Sequence, residues 1–200
     1  MVTLNYHMTA MEWGRNSPRK EEIIMIVINL FGAPGAGKST GAAYIFSQLK
    51  LKNINAELIT EFAKDKVWEE NKEVFKNQAY IFGKQSFKMS RCKDKVDVII
   101  TDSPLFLSAL YNTDKALGED FNNVVLNVFN SYDNFNVFIQ RIKPYNPIGR
   151  NQTAEESDAL ALELKNKLQE KNIPYFCING DQASYDSIID KIMEALNGKI

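Results

Sequence analysis

The sequence has few of the residues that metal clusters, disulfide frameworks and membrane spans require. Its 200 residues include two cysteines and one histidine, His7, which is too few for a metal site built from these ligands. Cys92 and Cys177 lie far apart in the chain, so we interpret both as reduced cysteines of a cytoplasmic protein, with a disulfide or redox role as the alternative. No apolar run approaches the ~20 residues of a membrane-spanning helix. A membrane protein is therefore not expected.

An excess of charge of one sign is also missing. The chain has 24 basic and 25 acidic residues, which gives a formal net charge of -1. Proteins that bind nucleic acid or anionic membranes usually carry a basic surface, so neither is expected as the main partner, although a local basic cleft stays open. With 44% hydrophobic and 24% charged residues, the composition is that of one globular domain.

The sequence does contain one glycine-rich turn, "INLFGAPGAGKSTGA", at residues 28–42. It fits the pattern G-x-x-x-x-G-K-[ST], in which backbone N–H groups surround phosphates, the lysine reaches the outer phosphates and the hydroxyl coordinates Mg²⁺. A turn without a ligand, the alternative, explains neither Lys38 nor Ser39 at this spacing. We predict that ATP and Mg²⁺ bind to nine consecutive residues: Gly32, Ala33, Pro34, Gly35, Ala36, Gly37, Lys38, Ser39 and Thr40.

Strand-like and helix-like segments alternate along the chain. The apolar run "IIMIVINLF" before the loop is followed later by "INAELIT", "VDVIIT", "NFNVFIQRI" and "IPYFCING". Residues 62–94 are predicted to form two helices that break near Asn71 or Gly83, with Cys92 on the second, and Ser103-Pro104 to begin a helix that runs to about Tyr111. This alternation predicts an α/β protein: a three-layer P-loop NTPase fold with a five-stranded parallel sheet.

The domain is predicted to span residues 23–200. Residues 1–22 lack periodicity and are expected to form a flexible extension, and Met25 is a candidate alternative start. The segment "KPYNPIGRNQ" contains two prolines and one glycine, which favours a mobile loop. We predict a short lid over about residues 143–153, followed by a helix whose capping box is Thr153-x-x-Glu156.

Acidic residues follow the second and third predicted strands, where ligands bind in open parallel sheets. Asp102 is predicted to hold Mg²⁺ beside Ser39, with a helix cap as the alternative. Glu61 is predicted to orient or deprotonate the hydroxyl that attacks the γ-phosphate, with a solvated acid near a helix start as the alternative. Lys64, one turn later, is predicted to face the same cleft, and a surface lysine is an equal alternative.

Cations and amides complete the predicted site. Arg150 is predicted to place positive charge over the γ-phosphate when the lid closes, and Arg141 to contact substrate, with solvent-exposed arginines as the alternative. Gln78 and Gln85 lie seven residues apart, on one helical face, and are predicted to read a base edge or a sugar hydroxyl. The nearby aromatics Tyr80, Phe82 and Phe87 are expected mainly in the core, with base stacking as the alternative.

These motifs resemble the phosphate-loop kinases related to the ribosylnicotinamide kinase of NAD salvage, together with bacteriophage ATPase-domain proteins like them. The likeness covers about residues 25–198 and rests on "FGAPGAGKST", "TEFAK", "NQAYIFGKQ", "VIITDSPLFLSALY" and the pair Gly149-Arg150. The chain departs from the salvage kinases at "TDSP", where they tend to carry a second acid after the strand aspartate, which weakens nicotinamide riboside as the substrate.

The resemblance implies an ATP- and Mg²⁺-dependent kinase of a nucleoside, nucleotide or related small molecule, with Lys38, Glu61, Asp102 and Arg150 as catalytic residues. It would act in the cytoplasm, or in the host cytoplasm if the chain is phage-encoded. Two alternatives stay open: a kinase acting on a polynucleotide end or a modified DNA base, and a nucleotide-binding ATPase switch without a small-molecule acceptor. The sequence leaves the acceptor and the oligomeric state undetermined.

Overall fold

The protein contains one five-stranded sheet in which every strand runs parallel to its neighbours. The computed structural model describes residues 25–69, 72–148 and 152–198, so the extension predicted for residues 1–22 lies outside the described residues. The strands follow the order β2-β3-β1-β4-β5 across the sheet. Their bounds are β1 Ile26–Phe31, β2 Ala56–Ile59, β3 Val98–Thr101, β4 Asp133–Gln140 and β5 Phe176–Asn179.

Helices cover both faces of the sheet and complete three layers. Helices α1 and α7 join the core cluster on one face, and residues of α3 to α6 join the cluster on the other. The bounds are α1 Lys38–Leu51, α2 Phe62–Trp68, α3 Gln78–Ser90, α4 Leu107–Leu110, α5 Gly118–Asn130, α6 Ala154–Glu170 and α7 Gln182–Asn197, with a 3-10 helix over Lys72–Lys76. Within the described ranges, no helix combines the length and apolarity that crossing a membrane requires. The predicted α/β class and parallel sheet are confirmed.

The central strand β1 shows why the sequence folds this way. All six of its residues are buried. Ile28 packs into the cluster under α1 and α7, whereas Val27 and Phe31 pack into the opposite cluster, because successive side chains of a strand point to opposite faces. A strand covered on both faces needs a continuous apolar sequence, and burial of each large apolar side chain contributes about 1.5–3 kcal/mol.

The predicted break in the helical segment after β2 lies near residue 71 and not at Gly83. Helix α2 ends at Trp68 and α3 begins at Gln78, although Asn71 itself lies outside the described residues. Gly83, the other predicted position, lies inside α3, where nothing comes within 4 Å of an added Cβ, and the buried face of the helix keeps the segment helical.

Another helix prediction is wrong. Ser103-Pro104 does not start a helix. The next helix, α4, begins at Leu107 without a side-chain cap, because the buried Leu105 and Phe106 occupy the turn before it.

Two local predictions near helix ends have opposite outcomes. Cys92 lies in the turn after α3 rather than on the helix, and its thiol is buried and free. The capping box at the start of α6 is confirmed. The hydroxyl of Thr153 accepts from the Glu156 N–H at 3.2 Å, and the Glu156 carboxylate accepts from the Thr153 N–H at 2.7 Å. The lid therefore ends at a helix start where the backbone N–H groups of Thr153 and Glu156 both have side-chain acceptors.

Candidate active site

The glycine-rich loop connects β1 to α1 at the carboxyl end of the sheet. Gly35 and Gly37 have φ values of 81° and 101°, which residues other than glycine rarely adopt. At Gly32 a Cβ would lie 2.7 Å from the carbonyl oxygen of Ile139 on the neighbouring strand. The glycines therefore allow a tight loop packed against β4, and α1 begins directly after it at Lys38.

Lys38 extends over the loop that precedes it. Its ammonium group donates to the carbonyl oxygens of Gly32 at 2.7 Å and Ala33 at 3.1 Å. The positive charge therefore lies on the phosphate loop itself, next to the N-terminal end of α1, where helix geometry also favours an anion.

A single carboxylate joins the ends of three elements. One oxygen of Asp102 accepts from the Ser39 hydroxyl at 2.6 Å, and the other accepts from the Glu61 backbone N–H at 3.0 Å. Asp102 is 4% exposed. The pairing of Ile59 with Thr101 in the sheet brings the ends of β2 and β3 side by side, so both predicted acids lie at one position beside the loop.

The Ser39–Asp102 pair has the right chemistry for Mg²⁺, because this ion prefers hard oxygen ligands. In the part of the chain that the structure describes, no group of three His, Cys, Asp or Glu residues stands ready to hold a metal. The protein would therefore supply one hydroxyl and one carboxylate, and phosphate oxygens and water would supply the remaining ligands.

Gln85 holds the chain around Glu61. Its amide oxygen accepts from the Phe62 N–H at 3.1 Å, and its NH₂ group donates to the Thr60 carbonyl at 3.4 Å. At 2% exposure, Gln85 contacts the protein's own backbone, which gives it a structural role that the sequence did not indicate. Glu61 itself is half-buried at the start of this supported segment.

The other predicted acceptor residues are spread around Glu61. The buried Gln78 donates to the Phe75 carbonyl at 3.3 Å, and Lys64 is exposed on α2. Tyr111, which the sequence indicated only as a helix end, lies near the carboxylates of Glu61 and Glu163. Partial burial and these two negative charges raise the pKa of Tyr111 to about 12, so its hydroxyl keeps its proton at neutral pH and can donate a hydrogen bond.

Two of the three aromatics on α3 lie outside the core in which they were expected. Phe87 is 69% exposed and Tyr80 is 43% exposed, so the core placement expected for both is wrong. Phe82 packs against a core cluster, as expected, and its ring centroid lies 5.8 Å from that of Phe121. Tyr80 makes an edge contact with the Phe62 ring next to Glu61.

The described part of the lid contacts the phosphate loop through Tyr145. The Tyr145 ring would lie 3.1 Å from a Cβ placed on Gly35, and its hydroxyl donates to the Gln152 carbonyl at 2.6 Å. The guanidinium of Arg141 lies 5.3 Å from the centre of this ring and pairs with Asp158 on α6. Arg150, the predicted catalytic arginine, lies outside the described residues.

An open cleft of about 380 Å³ lies beside the phosphate loop. Residues of the loop, of the lid and of the start of α7 line it, among them Thr40, Lys143, Asn146, Asp181 and Gln182. Because it begins at the phosphate loop, the cleft has room for the rest of a nucleotide whose phosphates occupy the loop.

Comparisons with known proteins agree with this geometry. A family model, AAA_28, described as an AAA domain, matches residues 27–184. A solved structure of deoxyadenosine kinase from M. mycoides with the products dCMP and a flexible dCDP is 20% identical with a TM-score of 0.52, and the match covers 86% of this chain and 99% of that one. A second structure of that kinase, with bound dATP, is 22% identical with a TM-score of 0.49 over the same shares. No curated protein matches the chain.

The first of these structures supports the fold alone. Together with the family match, it confirms the predicted resemblance to phosphate-loop kinases and the predicted three-layer architecture.

Proposed function

The chain belongs to the AAA_28 family, and we propose that it is an ATP-dependent kinase that phosphorylates a nucleoside, a nucleotide or a related small molecule. The observation that carries this proposal is the contact of one carboxylate, Asp102, with both Ser39 and the Glu61 backbone. This contact puts an acid suited to an acceptor hydroxyl next to a loop suited to the donor phosphates.

The donor nucleotide binds along the phosphate loop. Backbone N–H groups of the loop and the N-terminal end of α1 face the phosphates, and the Lys38 ammonium moves from its carbonyl partners to the outer phosphates. The base and sugar extend into the cleft lined by Asp181 and Gln182. Because the nucleotide is held both at its phosphates and at its base and sugar, its γ-phosphate is fixed relative to Asp102.

Ser39 and Asp102 would hold Mg²⁺ between them and the phosphates. The ion, when bound, neutralises negative charge on the phosphate oxygens. Asp102 has a second task that does not depend on the ion, because its other oxygen keeps the Glu61 backbone at 3.0 Å. The same carboxylate thus couples the donor side of the site to the acceptor side.

Glu61 acts on the acceptor. Its carboxylate accepts a hydrogen bond from the attacking hydroxyl and takes its proton as the phosphoryl group is transferred. Burial, with the negative charges of Glu61 and Glu163, raises the pKa of Tyr111, and its hydroxyl is proposed to donate to another oxygen of the acceptor. Gln78, buried on the same side, is the amide proposed to read a base edge.

Arg150 supplies positive charge from the lid, and Arg141 supplies it from the residue after β4, just before the lid. Arg141 exchanges its Asp158 partner for phosphate when nucleotide binds, and Arg150 reaches the γ-phosphate as the transition state forms. Tyr145 already packs on the phosphate loop at Gly35, which supports a role of this segment above bound phosphates. The two free cysteines fit a reducing compartment, and we propose the cytoplasm.

The experiment that tests this function is an ATP-consumption assay across a panel of nucleosides and nucleotides. We expect consumption to rise many-fold with at least one acceptor, and Glu61→Gln to remove most of that increase. Glu57→Gln, a change of the same kind on β2, is the matched control and should leave it intact. Equal consumption with and without every acceptor would contradict the kinase and favour the ATPase switch, whereas stimulation by an oligonucleotide alone would favour a polynucleotide kinase.

A further inference from the structure

Two buried hydroxyl groups donate to carbonyl oxygens of the phosphate loop. Ser157 on α6 donates to Pro34 at 2.8 Å, and Tyr185 on α7 donates to Gly37 at 3.1 Å. Ser157 is 0% exposed and Tyr185 is 4% exposed. Because α6 and α7 cover opposite faces of the sheet, the loop is held from both outer layers of the domain.

The Tyr185 ring also fixes its distance from the loop by steric contact. A Cβ on Gly41 would lie 2.7 Å from the ring carbon Cε1, and a Cβ on Gly37 would lie 2.7 Å from the hydroxyl oxygen. Both positions therefore leave space only for glycine beside the ring. Burial and the negative charge of Asp181 raise the pKa of Tyr185, so the hydroxyl remains a donor at neutral pH.

We propose that Ser157 and Tyr185 are positioning residues that set the direction of the N–H groups with which the loop binds phosphate. A peptide unit is planar and trans, so its C=O and N–H point in opposite directions. The Gly37 carbonyl accepts from the Gly41 N–H of α1 at 2.8 Å as well as from Tyr185. Tyr185 therefore sets the tilt of this carbonyl towards α7 and turns the Lys38 N–H away from α7. Holding the Pro34 carbonyl towards α6 likewise turns the Gly35 N–H away from α6. This inference rests on the proposed nucleotide-binding function.

The expected size of the effect follows from the equilibrium between competent and incompetent loop arrangements. When a binding-competent conformation is only partly populated, the apparent dissociation constant rises by the inverse of that population. Loss of one such hydrogen bond should therefore weaken binding of a triphosphate by about threefold to tenfold. Adenosine has no phosphate, so its affinity should not change.

The test is isothermal titration of AMP-PNP and of adenosine into the full chain and four variants. Tyr185→Phe and Ser157→Ala each remove one hydroxyl and keep the packing. Tyr175→Phe and Ser90→Ala are matched controls, because Tyr175 packs against Phe138 away from the loop and Ser90 donates to the helix carbonyl of Phe87. We expect weaker AMP-PNP binding in the first pair alone, with adenosine binding unchanged in all four.

Hydrogen exchange and a rescue variant separate positioning from loss of folding. Exchange at the amides of residues 35–39 should speed up in Tyr185→Phe and Ser157→Ala while core strands stay protected, and Ser157→Cys, which keeps a weak donor, should recover part of the affinity. Unchanged AMP-PNP affinity in both variants would overturn the inference, as would an equal loss for adenosine. If the unmodified chain binds no AMP-PNP, the proposed function itself fails, which is a different result.

Discussion

Each carboxylate oxygen of Asp102 has its own partner, which suits this residue to the two tasks proposed for it. One oxygen faces the Ser39 hydroxyl, and the other receives the Glu61 backbone N–H. A carboxylate that is 4% exposed and engaged on both oxygens has little freedom to rotate. Its position relative to the loop is therefore set before any ligand arrives.

Asp102→Asn should separate the two tasks. Asparagine keeps one oxygen for the Glu61 N–H but loses the negative charge, so metal dependence should suffer more than folding. We expect the Mg²⁺ concentration for half-maximal activity to rise about tenfold or more, with a smaller effect on ATP affinity measured without metal. Asp97→Asn, at the opposite end of β3, is the control. An unchanged Mg²⁺ titration would remove Asp102 from the metal site.

In the proposed function, the lid brings Arg150 to the γ-phosphate. In the described part of the lid, Tyr145 packs on the phosphate loop, and just before the lid Arg141 pairs with Asp158. A charged group delivered by such a segment acts chiefly when the lid is closed. Its effect should therefore appear in turnover rather than in ground-state binding.

Arg150→Ala tests this view of the lid. We expect kcat and kcat/KM to fall together, by up to about 10³-fold by analogy with catalytic arginines elsewhere, and Arg150→Lys to recover only part of the loss, because an ammonium lacks the planar two-pronged geometry of a guanidinium. Arg91→Ala, at an exposed arginine after α3, is the control. Single-turnover rates equal to those of the unmodified chain at saturating ATP and acceptor would place Arg150 outside the chemistry.

Elements with strong local signals were predictable from the sequence. The buried strands, the phosphate loop and the Thr153 capping box each depend on residues within a few positions of one another. Where tertiary packing decides, the sequence was misleading. Gly83 stays helical because the other face of α3 is buried, and the buried Leu105 and Phe106 delay α4 beyond the capping signal at Ser103.

The supporting contacts of the site could not be predicted in this way. Ser157 and Pro34 are 123 residues apart, and Tyr185 and Gly37 are 148 apart. Nothing in the local sequence around either hydroxyl indicates a partner at that distance. Gln85 is a related case, because its spacing suggested a ligand, whereas its amide bonds to the backbone on both sides of Glu61.

At the scale of the whole molecule, the strand order divides the site into two halves around the phosphate loop. The loop follows the central strand β1. On one side of it, β2 and β3 are followed by Glu61 and Asp102, whereas on the other side β4 and β5 lead into the lid and the cleft beside α7. In the proposed function the first half binds the acceptor and the second binds the donor, so the two molecules would meet over the loop, as a direct transfer of phosphate requires.

The most direct test of this account follows the γ-phosphate itself. The chain is incubated with γ-labelled ATP, Mg²⁺ and the acceptor that most stimulates ATP consumption, and the label is located after separation of the products. We predict that the label appears on the acceptor with the unmodified chain. Lys38→Ala should abolish transfer while the chain stays folded, because Lys38 is the partly exposed first residue of α1 and its side chain lies outside the two core clusters. Label found only in inorganic phosphate, or transfer undiminished in Lys38→Ala, would contradict the account.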